Sequence, residues 1–306
     1  MKILVTGASG FLGKTLCPFL QAQGHHVVEL NSKICDLTKG VSLDQFNIER
    51  FDQIYHLAAW TQAGDFCLRH PGEQWIINQK INTHVLDWWQ KSQPQAKLIA
   101  IGTSCSYDPA FPLSEENYLK GTPIDSLLTY GMTKRMLLYG LKALSKQFGL
   151  EYLYVVPSTL YGPNYHTDDR QLHFIFDLIR KFINGVRKDD PVILWGDGEQ
   201  KRELIHVDDF VGALVSLTAT AKNTVVNIGS GKEHSIKEFA QMISSSVGYP
   251  FEKVQFDLTK YVGARSKVLS IERLLSLVPS FNPKELKLGL EETIDWFAKD
   301  YASIER

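Results

Sequence analysis

Met1-Lys2-Ile3-Leu4-Val5-Thr6-Gly7-Ala8-Ser9-Gly10-Phe11-Leu12-Gly13 opens the chain, and this stretch decides the fold. Ile3-Leu4-Val5 is a short apolar run that predicts a buried strand, and the residues from Leu12 to Gln23 predict an amphipathic helix. Between them lie glycines at GxxGxxG spacing. In a strand–turn–helix unit the first glycine permits the tight turn. The second lets backbone approach a pyrophosphate, and the third lets helix and strand come close. The helix N-terminus adds free N–H donors and a partial positive charge for the phosphate oxygens. The turn therefore predicts a dinucleotide site built from Gly7, Ser9, Gly10, Phe11, Leu12 and Gly13.

The pattern continues outward. Four more buried strands are predicted at His26-Val27-Val28, Gln53 to Leu57, Lys97 to Ile101 and Tyr152 to Val156, with helical stretches between them such as Trp75 to Gln93. Strand–helix alternation with near-continuous apolar strands gives a parallel sheet covered by helices on both faces. The expected fold is α/β, a Rossmann-type doubly wound parallel sheet with a smaller mixed α/β region. The sequence suggests a dinucleotide-binding domain over 1–162, with 204–220 returning to it, and a substrate domain over 163–203 and 221–306. In that second region helices are predicted from Leu172 to Asn184 and Ile236 to Val247, and short strands at Val192-Ile193-Leu194 and Val225-Val226-Asn227.

Bulk properties narrow the function. A net charge of −1 supplies no field to draw the chain to nucleic acid or anionic lipid. No stretch reaches the roughly 20 apolar residues of a membrane span, and the first strand occupies the place of a signal peptide. Cys17, Cys35, Cys67 and Cys105 lie far apart with no CxxC pair. They predict reduced thiols in a cytoplasmic protein, with neither a disulfide framework nor a metal site.

The end of the second strand selects the cofactor. An acidic residue there binds the ribose 2′-hydroxyl of NAD, whereas cations suit the 2′-phosphate of NADP. Glu29 comes early, while Asn31, Ser32 and Lys33 can together hold a phosphate, so NADP is expected and NAD is the second choice. Asp36, Leu37, Leu57, Ala58, Ala59, Asn78 and Pro157 complete the expected cofactor contacts.

Tyr130-Gly131-Met132-Thr133-Lys134 begins a helix that runs to about Gln147. A spacing of four puts Tyr130 and Lys134 on one face, a turn apart. A tyrosine acting as acid or base, with a free pKa near 10, needs a nearby cation to bring it toward working pH. Thr103 ends the fourth strand, where the carboxyl ends of strands border the ligand crevice; Ser104 and Ser106 compete for its role.

These motifs resemble the extended short-chain dehydrogenases. The resemblance rests on the TGASGFLG turn, His56-Leu57-Ala58-Ala59, Asn78, the YGMTK run, Leu160-Tyr161-Gly162-Pro163 and the segment from Trp195 to Asp209. It implies an oxidoreductase acting on a nucleotide sugar, with Thr103, Tyr130 and Lys134 as the catalytic group. Within the family, the GDP-L-fucose synthase branch looks most similar. In that branch a cysteine and a histidine move protons at carbons beside a ketone, and Cys105 and His173 fall at the matching places. The resemblance implies NADPH-dependent reduction at C4 of a 4-keto sugar, with C3/C5 epimerisation before it. The alternative is a nucleotide-sugar 4-epimerase with tightly held NAD. Thr159 stands where the family usually has asparagine, and Thr103 replaces the usual serine. Trp195 is expected to line the base pocket and Thr159 to touch the sugar. Arg202, with Arg265 or Lys267, is expected to bind the diphosphate, and Arg180, Lys181 and Arg187 are further candidates. A homodimer is expected through the helices around Val85 to Gln93 and Met136 to Phe148, with Trp88, Trp89 and Tyr139 on the shared face.

Overall fold

The computed structural model describes residues 1–168, 170–260 and 265–304. The chain begins β1 (Lys2–Thr6), α1 (Phe11–Ala22), β2 (His26–Leu30), β3 (Gln53–His56), α2 (Phe66–Arg69), α3 (Pro71–Ser92) and β4 (Lys97–Ile101). It continues α4 (Leu128–Phe148), β5 (Tyr152–Pro157), β6 (Thr159–Tyr161), α5 (Phe174–Lys188), β7 (Ile193–Trp195), β8 (Lys201–His206) and α6 (Val207–Thr220). It ends β9 (Thr224–Ile228), β10 (Glu233–Ser235), α7 (Ile236–Val247), β11 (Gln255–Asp257), α8 (Glu272–Leu277) and α9 (Leu286–Ile304).

The main sheet is parallel throughout, in the order β2-β1-β3-β4-β5-β9. Its strands are almost wholly apolar because both faces are covered. Val85, Trp89, Leu137, Leu138 and Leu141, from α3 and α4, pack on one face. Leu16, Leu20, Phe210, Leu214 and Leu217, from α1 and α6, pack on the other.

One strand departs from the sequence reading. Val225-Val226-Asn227, assigned by sequence to the substrate region, lies in β9, which pairs with β5 from Leu153↔Thr224 to Pro157↔Ile228. The physical reason is the edge of β5. Without a partner, a fully buried strand would leave a row of backbone donors and acceptors unpaired. Helix α8 follows β9 back to this body, with Leu274 in the same core as α1 and α6.

A separate core of Phe176, Ile179, Phe182, Phe239, Ile243, Leu290 and Phe297 ties α5, α7 and α9 together. Two small sheets, β10-β8-β6 and β11-β7, complete this lobe.

Trp88 and Trp89 do not lie on a shared outer face. Both are buried, with indole N–H groups donated to Asn47 Oδ1 and the Ala96 carbonyl, each at 2.8 Å. The exposed apolar residues on these two helices are Trp75, Ile76, Met136, Tyr139 and Phe148. Among the described residues no helix is long and apolar enough to cross a membrane.

Candidate active site

The glycine turn is shaped for backbone contact. Gly7 has φ +70°, which favours glycine, and a Cβ there would lie 2.9 Å from Ala58 N. A Cβ on Gly13 would come within 2.4 Å of the Ala8 carbonyl oxygen, so α1 could not seat against the turn. The first turn of α1 has neither a side-chain cap nor an acidic residue, so its N–H groups face the crevice uncompensated. Ser9 is exposed beside them, and Phe11 and Leu12 are part-buried. Ala58 N donates to Thr6 Oγ1, which pins the Leu57-Ala58-Ala59 segment against the turn.

Two expected cofactor ligands do other work. Asn78 is buried, and its amide is spent on Trp60 N, Trp60 O and Gln74 O, each at 2.9 Å. It shapes the loop after β3. Asn31 accepts from Lys33 N and Ile34 N, closing an Asx turn at the end of β2. Ser32 and Lys33 are left exposed on that turn. The Asp36 carboxylate is held below its ordinary range by hydrogen bonds from the Thr38 hydroxyl and backbone. Leu37 is core, and Pro157 ends β5 opposite Ile228. The glycine cradle and the lysine-bearing turn fit a dinucleotide with a 2′-phosphate.

The next group assembles where β4 meets α4. Thr103 caps the short 3₁₀ turn Ser104–Ser106, its hydroxyl oxygen accepting from Cys105 N at 3.2 Å. Lys134 is buried and donates to the Ile101 carbonyl at 2.8 Å. Its ammonium lies 5.9 Å from the centroid of the Tyr130 ring. Among the described residues no carboxylate pairs with it, and burial brings Lys134 down to about 8. Burial, helped by Cys105, Cys67 and Tyr118 nearby, pushes the Tyr130 phenol well up. The competing Ser106 is fully buried and donates to the Gly131 carbonyl, locking the turn to α4.

Cys105 faces the other way along the crevice. Lys267 Nζ donates to its sulfur at 3.4 Å. Burial opposes the thiolate, but the Lys267 charge and hydrogen bonds from Thr103 and Lys267 outweigh it and hold Cys105 below an ordinary thiol. His173 caps α5, its Nδ1 accepting from Phe174 N at 3.1 Å. Burial first, then Lys267 and Arg202, bring its imidazole down to about 4, so it is neutral with its proton on Nε2.

His173 also lines a cavity of about 680 Å³ with Arg180, Lys181, Trp195 and Arg202. The Trp195 ring is flanked by Lys181 and Lys260 at 5.8 and 5.9 Å from its centroid. Arg202 reaches a second, smaller cavity with Thr159, Glu203 and Lys267. Arg265 is exposed and lines neither cavity. Arg187 donates instead to the Ala298 carbonyl, away from the cavity.

The family match follows this geometry: residues 3–229 match the NAD dependent epimerase/dehydratase family. The chain belongs to that family. It is 28 % identical to the GDP-L-fucose synthase of Escherichia coli K12, across 98 % of this chain and 97 % of that protein. It is 30 % identical to GDP-L-fucose synthase 1 of Arabidopsis thaliana, across 98 % and 94 %. Among solved structures, a GDP-L-fucose synthetase from Naegleria fowleri bound to NADP superposes with a TM-score of 0.87. That likeness is at 24 % identity, over 99 % of this chain and 95 % of the other.

Three buried residues near this site were given no individual role by the sequence reading, although His56 and Glu203 lie in motifs that carry the resemblance. His56 is fully buried, joining Thr6 Oγ1 (2.9 Å) to Asn82 Oδ1 (3.0 Å), and burial keeps it neutral at about 4. Arg135 donates to the carbonyls of Ser106, Lys120 and Gly121, fastening the Ser104–Ser106 turn to the loop before α4. Glu203 is a buried carboxylate in β8, and its place in Arg202-Glu203-Leu204-Ile205, an acid leading into an apolar run, was the available signal.

Proposed function

We propose that the chain reduces the C4 ketone of a GDP-linked 4-keto-6-deoxyhexose with NADPH, after Cys105 and His173 epimerise the flanking C3 and C5 carbons. The observation that carries this reading is that Thr103 and Cys105 sit two residues apart on one 3₁₀ turn. One sugar can then meet the Tyr130 and Lys134 group on one side and Cys105 on the other. The named relatives support the substrate class, and the Lys33 turn supports the 2′-phosphate.

In this mechanism Cys105 thiolate removes a proton from a carbon beside the ketone and His173 returns one from Nε2 on the opposite face; water then takes the proton from Cys105 and reprotonates His173 before the next carbon reacts. When bound, NADPH supplies the hydride for C4. Thr103 donates its hydroxyl to the ketone oxygen and holds it beside Tyr130. Tyr130, kept protonated by burial, transfers its phenolic proton to that oxygen. Lys134 sets the charge beside the phenol and offers a donor to the nicotinamide ribose. Trp195 lines the base pocket, Arg202 binds the diphosphate, and Thr159 contacts the sugar from the smaller cavity. The main sheet with its helices is then the cofactor domain, and the α5, α7 and α9 lobe the substrate domain. Two copies pair through Ile76, Met136 and Tyr139 on α3 and α4, and the four free thiols suit a cytoplasmic enzyme.

NADPH oxidation with GDP-4-keto-6-deoxymannose in deuterated water tests the proposal. Turnover with deuterium at C3 and C5 of the product is expected. Turnover without carbon-bound deuterium would reduce the activity to C4 reduction, and absence of turnover would overturn the substrate.

A further inference from the structure

We infer that Lys267 serves Cys105 as a built-in counter-cation, and that Glu203 is the positioning residue that holds Lys267 there. This inference rests on the epimerase reading of Cys105 and His173, and it moves Lys267 from the diphosphate to the proton-transfer end of the site.

The geometry is specific. Lys267 Nζ lies 3.4 Å from Cys105 Sγ. Among the described residues, Lys267 forms no ion pair with a carboxylate. A cation so placed stabilises a thiolate in the way an adjacent base activates a nucleophile. The same charge, with Arg202, discourages protonation of His173. One lysine thus sets both partners: a sulfur whose anionic form is favoured, to take a proton, and a neutral imidazole whose Nε2–H gives one. The other groups acting on Cys105 are Thr103 at the strand end, Tyr130 from α4 and Cys67 from α2. Burial keeps both Tyr130 and Cys67 in their uncharged forms. Lys267 is therefore the charge that governs the sulfur.

A flexible lysine needs a fixed backbone to play this part. The segment from Arg265 to Ser270 crosses the site as a strap tied at several points, Asn227 Nδ2 donating to Ser270 O at 3.0 Å among them. Lys201 N donates to Arg265 O at 2.8 Å, and Ser266 bonds Glu233. Leu269 N donates to Glu203 Oε2 at 2.8 Å, and Ser270 N donates to Leu113 O at 3.0 Å. Glu203 Oε1 meanwhile accepts from Gly231 N at 2.7 Å. A Cβ on Gly229 would stand 2.2 Å from that oxygen, so the loop is built around the carboxylate. Burial pushes the Glu203 carboxyl up to about 7, opposed by the backbone N–H groups of Leu269, Gly231 and Ser230 that bond to it. The clamp it forms lies two residues from Lys267, beside the cavity that Lys267, Thr159 and Arg202 share.

The test is the pH profile of Cys105 alkylation by iodoacetamide in the full-length protein, read by mass spectrometry, with Cys105→Ala identifying the fast-reacting thiol. Wild-type Cys105 is expected to react with a midpoint below the ordinary thiol value of about 8.5. Lys267→Met should raise that midpoint by about one unit and slow alkylation near neutral pH about tenfold. Lys267→Arg should restore most of the rate, and Glu203→Gln should give an intermediate profile. Retained NADPH binding and an unchanged circular dichroism spectrum certify each fold, with Lys267→Gln as the substitute for any variant that fails. An unchanged profile in Lys267→Met would overturn the inference, whatever the C3/C5 exchange shows. A lysine-dependent profile without any C3/C5 exchange in wild type would uphold the ion pair and overturn the epimerase reading instead.

Discussion

The two ends of the crevice are built in different ways. At the proposed hydride end, Thr103, Tyr130 and Lys134 belong to one β4–α4 unit, and Lys134 is oriented by the Ile101 carbonyl, two residues before Thr103. At the thiol end, Cys105, His173, Arg202 and Lys267 come from four separate segments, and the Lys267–Cys105 contact spans 162 residues. The two lysines differ accordingly. Lys134 is buried with a carbonyl and no anion, so its charge is barely tolerated, whereas Lys267 faces a group it can ionise. Chemistry that needs fixed spacing is held within one local unit here. Chemistry that needs a tuned charge is assembled from segments distant in the chain.

The sharpest way to break this contrast is Tyr130→Phe, which removes the proposed proton donor and leaves the ring. It should lower kcat for NADPH oxidation about 10²- to 10⁴-fold with little change in thermal stability, and a small kinetic effect would remove Tyr130 from the hydride end. Next is the pH dependence of Lys134. Its folded-state pKa of about 8 lies below the ordinary value of about 10.4. Above pH 8 the free enzyme loses the charge, so kcat/KM should fall about tenfold per unit. Over the same interval the unfolded chain binds more protons, so the stability of the apo fold should rise from about pH 8 toward 10.4. Lys134→Met should lack that rise in a pH series of thermal melts; if it keeps it, the lysine is not the group concerned. Asn78→Ala removes a buried amide from three backbone partners. It should cost about 1–3 kcal/mol and raise the KM for NADPH more than it lowers kcat. The smallest effect is expected from Trp195→Ala at the mouth of the large cavity: a several-fold rise in the KM of the sugar nucleotide at constant kcat, for a loss of about 1 kcal/mol.

The glycine turn and the Tyr130–Lys134 spacing were legible in the sequence because their rules are short-range. Gly7 and Gly13 are needed by a turn of fixed shape, and Tyr130 and Lys134 by helical periodicity. The five strands β1–β5 were read from apolar runs for the same reason. Strand β9 was assigned to the wrong region because Val225-Val226 is brief and its partner lies far back along the chain. Trp88 and Trp89 were misjudged because the partners of their indole N–H groups, Asn47 and Ala96, lie outside the helix. Family resemblance supplied Lys267, but its contact depends on a strap tied by Glu203, which no spacing rule encodes.

The late arrival of β9 has a consequence during synthesis. When the ribosome has released residues through Gly162, five strands can already associate, yet β5 still forms their outer edge. That edge reads Tyr152-Leu153-Tyr154-Val155-Val156, without a charge or a glycine. Such a strand is a template for aggregation until it is covered. The nascent chain carries this liability for more than sixty further residues, until Thr224 to Ile228 emerge and seal it. A fragment cut at the apparent domain boundary would keep the liability permanently. Translation stalled in that interval would therefore yield insoluble product, although the cofactor turn is already made.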